Sequence, residues 1–410
     1  MRRPGRRPGF GGRGPVGRAV CLLAACAFSL PEGVHGQLKA PEFRAYYLHV
    51  GSGTASGPFN DPAATSFQRF RLMTDLAVGP LRFDIAYEHG LEVSTGTLVP
   101  GGLAGVGARR GTGAWAPLQW TIEESDHVLW RHQFDRLSGT LTAGESVELS
   151  LGRQTISWAT TLFLTPADPF VPFNPEDPFR EFRAGVDAAR LRAFLGPFTD
   201  VDFVFRPATY DDETTLTALG RVRSVIGGVE LGAWLGALHD EFSASGAVTA
   251  TLLGAAVRAE LVVREAEGET VFRGAFGIDR AFGLGERDLY VVAEYQRDGF
   301  GAADASELLD VLGSTPASRG ELLVLGRDAL ALQASMQLHA LWTVDALALT
   351  NLGDPSLLFG PGVTYSLSDE GTARGGLYLG AGDPKTGEGL PGSEYGAVPF
   401  TAYLSVTFFF

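Results

Sequence analysis

Polar and apolar residues alternate at every second position through most of this chain. In residues 81–88, Leu81, Phe83, Ile85 and Tyr87 share one side of an extended strand; Arg82, Asp84, Ala86 and Glu88 share the other. The preceding segment sets Phe70, Leu72, Thr74, Leu76 and Val78 against Arg69, Arg71, Met73, Asp75 and Ala77. Gly79-Pro80 joins the two as a tight turn, which predicts a hairpin with one apolar and one charged face. The same period returns in residues 257–264, 289–296 and 330–339. Short turns are predicted near Gly79-Pro80, Ala143-Gly144, Gly196-Pro197, Gly227-Gly228, Gly254-Ala255, 283–286, 341–343 and 368–371. Longer connections are predicted near 51–65, 90–126, 158–183, 208–214, 239–244, 265–269, 297–326, 351–355 and 382–396. Eighteen strands result, with sixteen as the alternative count.

A soluble sandwich also alternates, so one strand decides nothing. Many of these strands reach ten residues, and short turns on one side of the sheet face longer loops on the other. That asymmetry belongs to transmembrane barrels. It predicts an all-β fold, a single antiparallel transmembrane barrel over residues 37–410, with both ends on the short-turn side. No apolar run after Gln37 is long enough for a membrane helix. Before it, six arginines among residues 2–18, an apolar run over 19–30 and the small-residue site Val34-His35-Gly36 read as a signal peptide, residues 1–36. Leu23-Ala24-Ala25-Cys26 offers lipoprotein processing at Cys26 as the alternative.

The last strand adds an independent sign. Phe400, Ala402, Leu404, Val406, Phe408 and Phe410 alternate with Thr401, Tyr403, Ser405, Thr407 and Phe409. This resembles the C-terminal strand of Gram-negative outer-membrane β-barrels, which end in phenylalanine. The resemblance implies the cell outer membrane with its lipid, Phe410 as the signal read by the barrel-assembly machinery, and a porin-like channel with a homotrimer as one assembly option. Residues 152–158 also look like segments of porin-like barrels, without fixing a family.

Processing near Gln37 removes both cysteines, Cys21 and Cys26, and with them any disulfide or thiolate chemistry. It leaves 27 basic against 46 acidic side chains, a net of −19, which disfavours nucleic acid as a partner. Arg71, Arg82, Arg190, Arg192, Arg221, Arg223 and Arg258, with Asp75, Asp84, Glu88 and Glu260, are predicted to line the pore. Opposed charges across a lumen favour small polar solutes; the bland alternative is that they pair and stiffen the wall.

The third long loop is the other candidate. Pro166, Pro169, Pro172, Pro175 and Pro178 recur every third residue, the period of a polyproline II rod. Folded inward, as the third loop of general porins is, it would constrict the pore. Phe170, Phe173 and Phe179 would then pack on the wall while Asp168 and Asp177 face the passage. Enzyme signals are thin. His49, His89, His127, His132, His239 and His339 form no zinc spacing, and no G-x-S-x-G accompanies them. No catalytic residue, cofactor or metal is expected. The runner-up reading is a closed structural or partner-binding barrel; a rim hydrolase using His89, His127, His132 or His239 ranks below it.

Overall fold

The computed structural model describes residues 41–98, 113–170, 178–179, 182–210, 212–266 and 268–410. The expected signal segment 1–36 lies outside them, as do Phe173 and Asp177 of the proline-rich loop. The first strands are β1 (Glu42–Thr54), β2 (Ala63–Val78), β3 (Leu81–Ser94), β4 (Gln119–Glu124), β5 (Val128–Ala143) and β6 (Val147–Gln154). After the third loop come β7 (Val186–Phe194), β8 (Thr199–Tyr210), β9 (Glu213–Ile226), β10 (Val229–Leu238), β11 (Glu241–Leu252) and β12 (Ala255–Ala266). The chain finishes with β13 (Glu269–Leu284), β14 (Arg287–Asp298), β15 (Asp328–His339), β16 (Trp342–Asn351), β17 (Ser356–Ser368), β18 (Gly371–Ala381) and β19 (Thr401–Phe409).

Successive strands pair antiparallel, and β19 returns to β1 from Tyr46↔Phe409 to Thr54↔Thr401. Phe410 extends that seam, exchanging backbone hydrogen bonds of 2.8 and 3.0 Å with Ala45. Closure removes the sheet edges, which a strand this apolar could not safely leave open. β4 is not part of the cylinder, because β3 pairs directly with β5 from Leu81↔Leu141 to Val93↔Val128. β4 instead adds to the other edge of β5, at residues 129–133, above the level where β6 stops. The barrel has eighteen strands, and the nineteenth patches its wall where the third loop departs.

The outer face carries the apolar set. Phe203, Leu235, Leu261 and Leu404 are each more than half exposed, while inward Arg71, Asp202 and Arg206 are at most 1% exposed. Such a surface suits hydrocarbon and not water. No helix among the described residues is long and apolar enough to cross a membrane.

All eight short turns fall where the pattern puts them. Three connections expected to be longer are two-residue turns: Tyr210 to Glu213, Leu238 to Glu241 and Ala266 to Glu269. Asp212, His239, Asp240 and Gly268 have positive φ there, the conformation that matches a tight hairpin to the strand twist. The carboxylate of Asp240 also accepts the Leu216 amide at 3.2 Å. The asymmetry between the two rims therefore rests on the other six connections.

Candidate functional site: a lumen spanned by the third loop

The chain leaves β6 at Gln154 and turns into the barrel. Trp158 packs edge-on against Phe170, with ring centroids 5.0 Å apart, and its indole donates to Asp202 at 3.1 Å. A segment without regular structure inside a barrel must find acceptors for its backbone N–H groups. Two wall carboxylates supply them. Glu260 of β12 accepts the amides of Thr160, Thr161 and Ala167 at 3.0–3.3 Å. Glu294 of β14 accepts those of Leu162, Phe163 and Leu164 at 2.6–2.9 Å. The Trp234 indole holds the Ala167 carbonyl at 3.1 Å. Farther along, Arg69 donates to the Phe179 carbonyl at 3.1 Å, and the Phe179 ring meets Tyr403 at 4.9 Å. Phe182 stacks on Tyr46, with the Arg71 guanidinium 4.7 Å from its ring. The loop thus reaches from β6 to β12 and β14, and back to β1, β2 and β19.

Several expectations change at this point. Asp168 does not face a passage: it is buried, accepting from Ser157 and Arg183 at 2.8 Å and from the Phe170 amide at 3.2 Å. Burial pushes its carboxyl up, against the opposing pull of Arg183. The proline period does not begin a straight rod at Pro166, because the Asp168 amide bonds the Thr165 carbonyl at 3.1 Å and closes a turn. Phe170 and Phe179 are buried in two apolar clusters.

Arg71 and Glu88 point inward but do not border open space. Arg71 is 1% exposed, bonded to Glu88 at 3.0 Å and Asp135 at 2.6 Å. A register shift opposite Ala86 and Tyr87 makes Asp135 an extra residue in β5 and places its carboxylate in this bracket. Glu260 is likewise sealed, as the loop's clamp.

The remaining predicted residues lie nearer the tight-turn rim. Arg190 pairs with Asp202 at 2.5 Å, Arg192 with Glu148 at 3.5 Å, and Arg258 with Asp279. Arg221 and Arg223 share Asp200 at 3.3 and 2.9 Å. Asp75 pairs with Arg44 at 2.7 Å, Asp84 lies 3.8 Å from Arg136, and Arg82 is exposed at the same rim. Below the loop, a cavity of about 120 Å³ opens between Ser157–Thr160 and the wall residues Arg221, Arg223, Glu230, Trp234, Ser245 and Thr249.

Two other long connections also fold onto the wall. Residues 299–327 carry short helical turns, and Glu321 there meets Arg264 closely and Arg273 at 3.8 Å. Glu394, in the connection before β19, accepts the Leu325 and Gly326 amides at 2.7 and 3.0 Å and the Asn351 amide at 2.9 Å. Burial pushes its carboxyl up. Sequence reasoning missed Glu294, Asp135, Asp202, Glu321 and Glu394. Glu294 and Asp202 did have a signal, each an acid on the inward face of a strand whose other face is apolar.

The histidines divide. His89 and His132 face each other on the outer face among Tyr87, Trp120, Trp130 and Phe134; the Trp130 indole donates to His89 Nε2 at 2.8 Å. Such aromatic clusters are at home in a membrane–water interface. His127 sits at the rim against the Gly96 carbonyl at 3.0 Å. His239, in the β10–β11 turn, is buried with Nδ1 2.9 Å from Thr215 Oγ1. Burial, then the charges of Arg206, Arg264 and Arg319, push its pKa down to about 2, so it is neutral and its 3.9 Å approach to Glu321 carries no ion-pair energy. An unfolded histidine binds a proton below about pH 6.5, and this folded one does not. Stability is therefore full above that pH and falls as the pH drops. At pH 5 the loss is about 2 kcal/mol. Urea midpoints at pH 7.5 and 5 for wild type and His239→Gln test this: the variant should lose that part of the pH dependence.

Among the described residues no three His, Cys, Asp or Glu side chains gather as metal ligands. No family model matches the sequence, and no curated protein matches it. Solved structures do match in shape. OccK2 (OpdF) of Pseudomonas aeruginosa is 11% identical, with 92% of this chain and 99% of that one covered and a TM-score of 0.56. OccAB1 of Acinetobacter baumannii is 9% identical over 92% and 99% of the two chains, with a TM-score of 0.55. A BenF-like porin from Pseudomonas fluorescens Pf-5 is 11% identical over 92% and 100%, with a TM-score of 0.53. Identity this low speaks to architecture alone: the chain has the closed eighteen-stranded barrel fold of outer-membrane porins.

Proposed function

We propose that this chain is an outer-membrane channel for passive diffusion of small polar solutes, narrowed by its third loop. The observation that carries the reading is the pairing of an apolar outer belt with a charged inner wall, bridged by a loop held on Glu260 and Glu294. Arg190, Arg192, Arg221, Arg223 and Arg258, each tied to an acid yet partly exposed, would border the path below the loop. Arg82, Asp75 and Asp84 would lie at its tight-turn mouth. Fixed charges of both signs in a confined passage favour polar over apolar solutes. The single chain closes its own barrel, so the lumen needs no second copy to complete it. Phe410, seated against Ala45, would be the residue read during barrel assembly. The structural neighbours described as porins agree with this reading without assigning a solute.

The three inward connections also favour a second reading, a barrel kept shut by them. Liposome swelling with sugars and amino acids, beside planar-bilayer recordings, separates the two. A channel gives solute entry and discrete conductance steps. Absence of both means a closed barrel.

A further inference from the structure

The tight-turn rim is stepped between β12 and β14. The β11–β12 hairpin turns at Leu253 and Gly254, whereas β13 and β14 run on to Leu284 and Arg287. The β12–β13 ladder ends at Ala256↔Asp279. Residues 280–284 continue past it, paired only with β14 on their other edge. The step leaves a notch on the outer face, a cavity of about 350 Å³ lined by Leu252, Leu253, Val257, Ile278, Phe282 and Val291, with Arg280 at its edge. Leu253 is 88% exposed at the lip.

Arg280 shares the outward face with Ile278 and Phe282, and its guanidinium lies 5.4 Å from the Phe282 ring centroid. A cation on this face is tolerated near the headgroups and not at mid-bilayer. Two other outward arginines are matched by acids, Arg153 by Asp187 at 2.7 Å and Arg297 by Asp328 at 2.6 Å. The acid beside Arg280 in sequence, Asp279, is turned inward to Arg258 and the Tyr290 hydroxyl. The notch therefore joins a groove shaped for hydrocarbon, a cation at interface depth and strand backbone beyond its ladder. Hydrocarbon alone leaves that backbone unsatisfied; a phosphate headgroup can accept from it.

We propose that this notch holds one anionic phospholipid of the periplasm-facing leaflet, with its phosphate on Arg280 and an acyl chain in the groove. The proposal rests on the chain being an outer-membrane barrel with its tight turns toward the periplasm, but not on what passes through the lumen. Native mass spectrometry of the detergent-solubilised protein, with phosphatidylglycerol or phosphatidylcholine of the same chains added, reads it directly. One phosphatidylglycerol should be retained about tenfold better than phosphatidylcholine, whose choline cation offsets the charge of the same phosphate beside Arg280. Arg280→Gln should abolish the preference and Arg297→Gln should keep it, both variants showing the heat-modifiable migration of a folded barrel. Equal retention of the two lipids, or an unchanged preference in Arg280→Gln, overturns the proposal. So does retention of glycerol phosphate as strong as that of the lipid, which would mark a free-anion site. Unaltered conductance steps in Arg280→Gln would show that such a failure belongs to the notch and not to the channel reading.

Discussion

Replacing Glu260 and Glu294 together by alanine should release the third loop and raise single-channel conductance several-fold. Each carboxylate is all but sealed from water, 4% and 2% exposed, and each collects three loop amides. Hydrogen bonds to a charged acceptor contribute about 1.5–3 kcal/mol each and are not additive. Truncating one buried charged anchor typically costs about 3–5 kcal/mol. With both removed, six N–H groups inside the barrel lack these acceptors, and the segment gains more by reaching water than by staying. The eighteen-stranded cylinder keeps its own ladders, so the barrel should remain folded while the loop departs. Two readouts belong together. Conductance reports the opened cross-section, and a red shift of tryptophan emission reports the hydration of Trp158 and Trp234, both 4% exposed in the docked state. Glutamine at both positions keeps acceptor oxygens and should give an intermediate effect. A double-alanine variant with unchanged conductance and unchanged emission would remove the clamp from the argument.

What the sequence discloses about this protein follows its local periods. A two-residue alternation assigns each side chain to lipid or lumen without knowledge of the partner strand, so Phe203 and Asp202 could be placed from their positions alone. Glycine-marked turns such as Gly227-Gly228, with φ of 60° and 83°, are equally local. The pairing of the last strand with the first follows from an edge too apolar to leave open. What stayed hidden depends on tertiary contacts that no period encodes. Glu260 reads as a pore-lining charge because its inward direction is visible and the amides it will receive are not. Asp168 reads as facing a passage until Ser157 and Arg183 are seen to converge on it from both ends of the loop. Asp135 reads two ways, inward with Gln133 or outward with Leu137 and Leu141, because a one-residue register shift falls on it. The turns at Asp212 and Asp240 looked like longer loops because an aspartate tolerates a left-handed backbone without announcing it as glycine does.

The bracket around Arg71 should prove the most costly to break. Its guanidinium is 1% exposed and spans two carboxylates, Glu88 and Asp135, themselves 12% and 1% exposed, while the Phe182 ring covers its face. Arg71→Ala strips the shared cation and leaves two acids facing each other, with Arg69 still 3.8 Å from Glu88 but tied to the Phe179 carbonyl. The expected loss is about 3–5 kcal/mol, the cost of stranding buried charge, read as a lowered urea midpoint for the barrel in lipid vesicles. Removing the acids at the same time, as Arg71→Met with Glu88→Gln and Asp135→Asn, should restore most of that midpoint, because a neutral packed cluster needs no counterion. Loop seating should not return fully in the triple variant: methionine fills space under Phe182 but offers its ring no cation. A single variant within about 0.5 kcal/mol of wild type, the ordinary range of an unremarkable surface change, would mean that water reaches this bracket freely and that Arg71 borders the solute path after all.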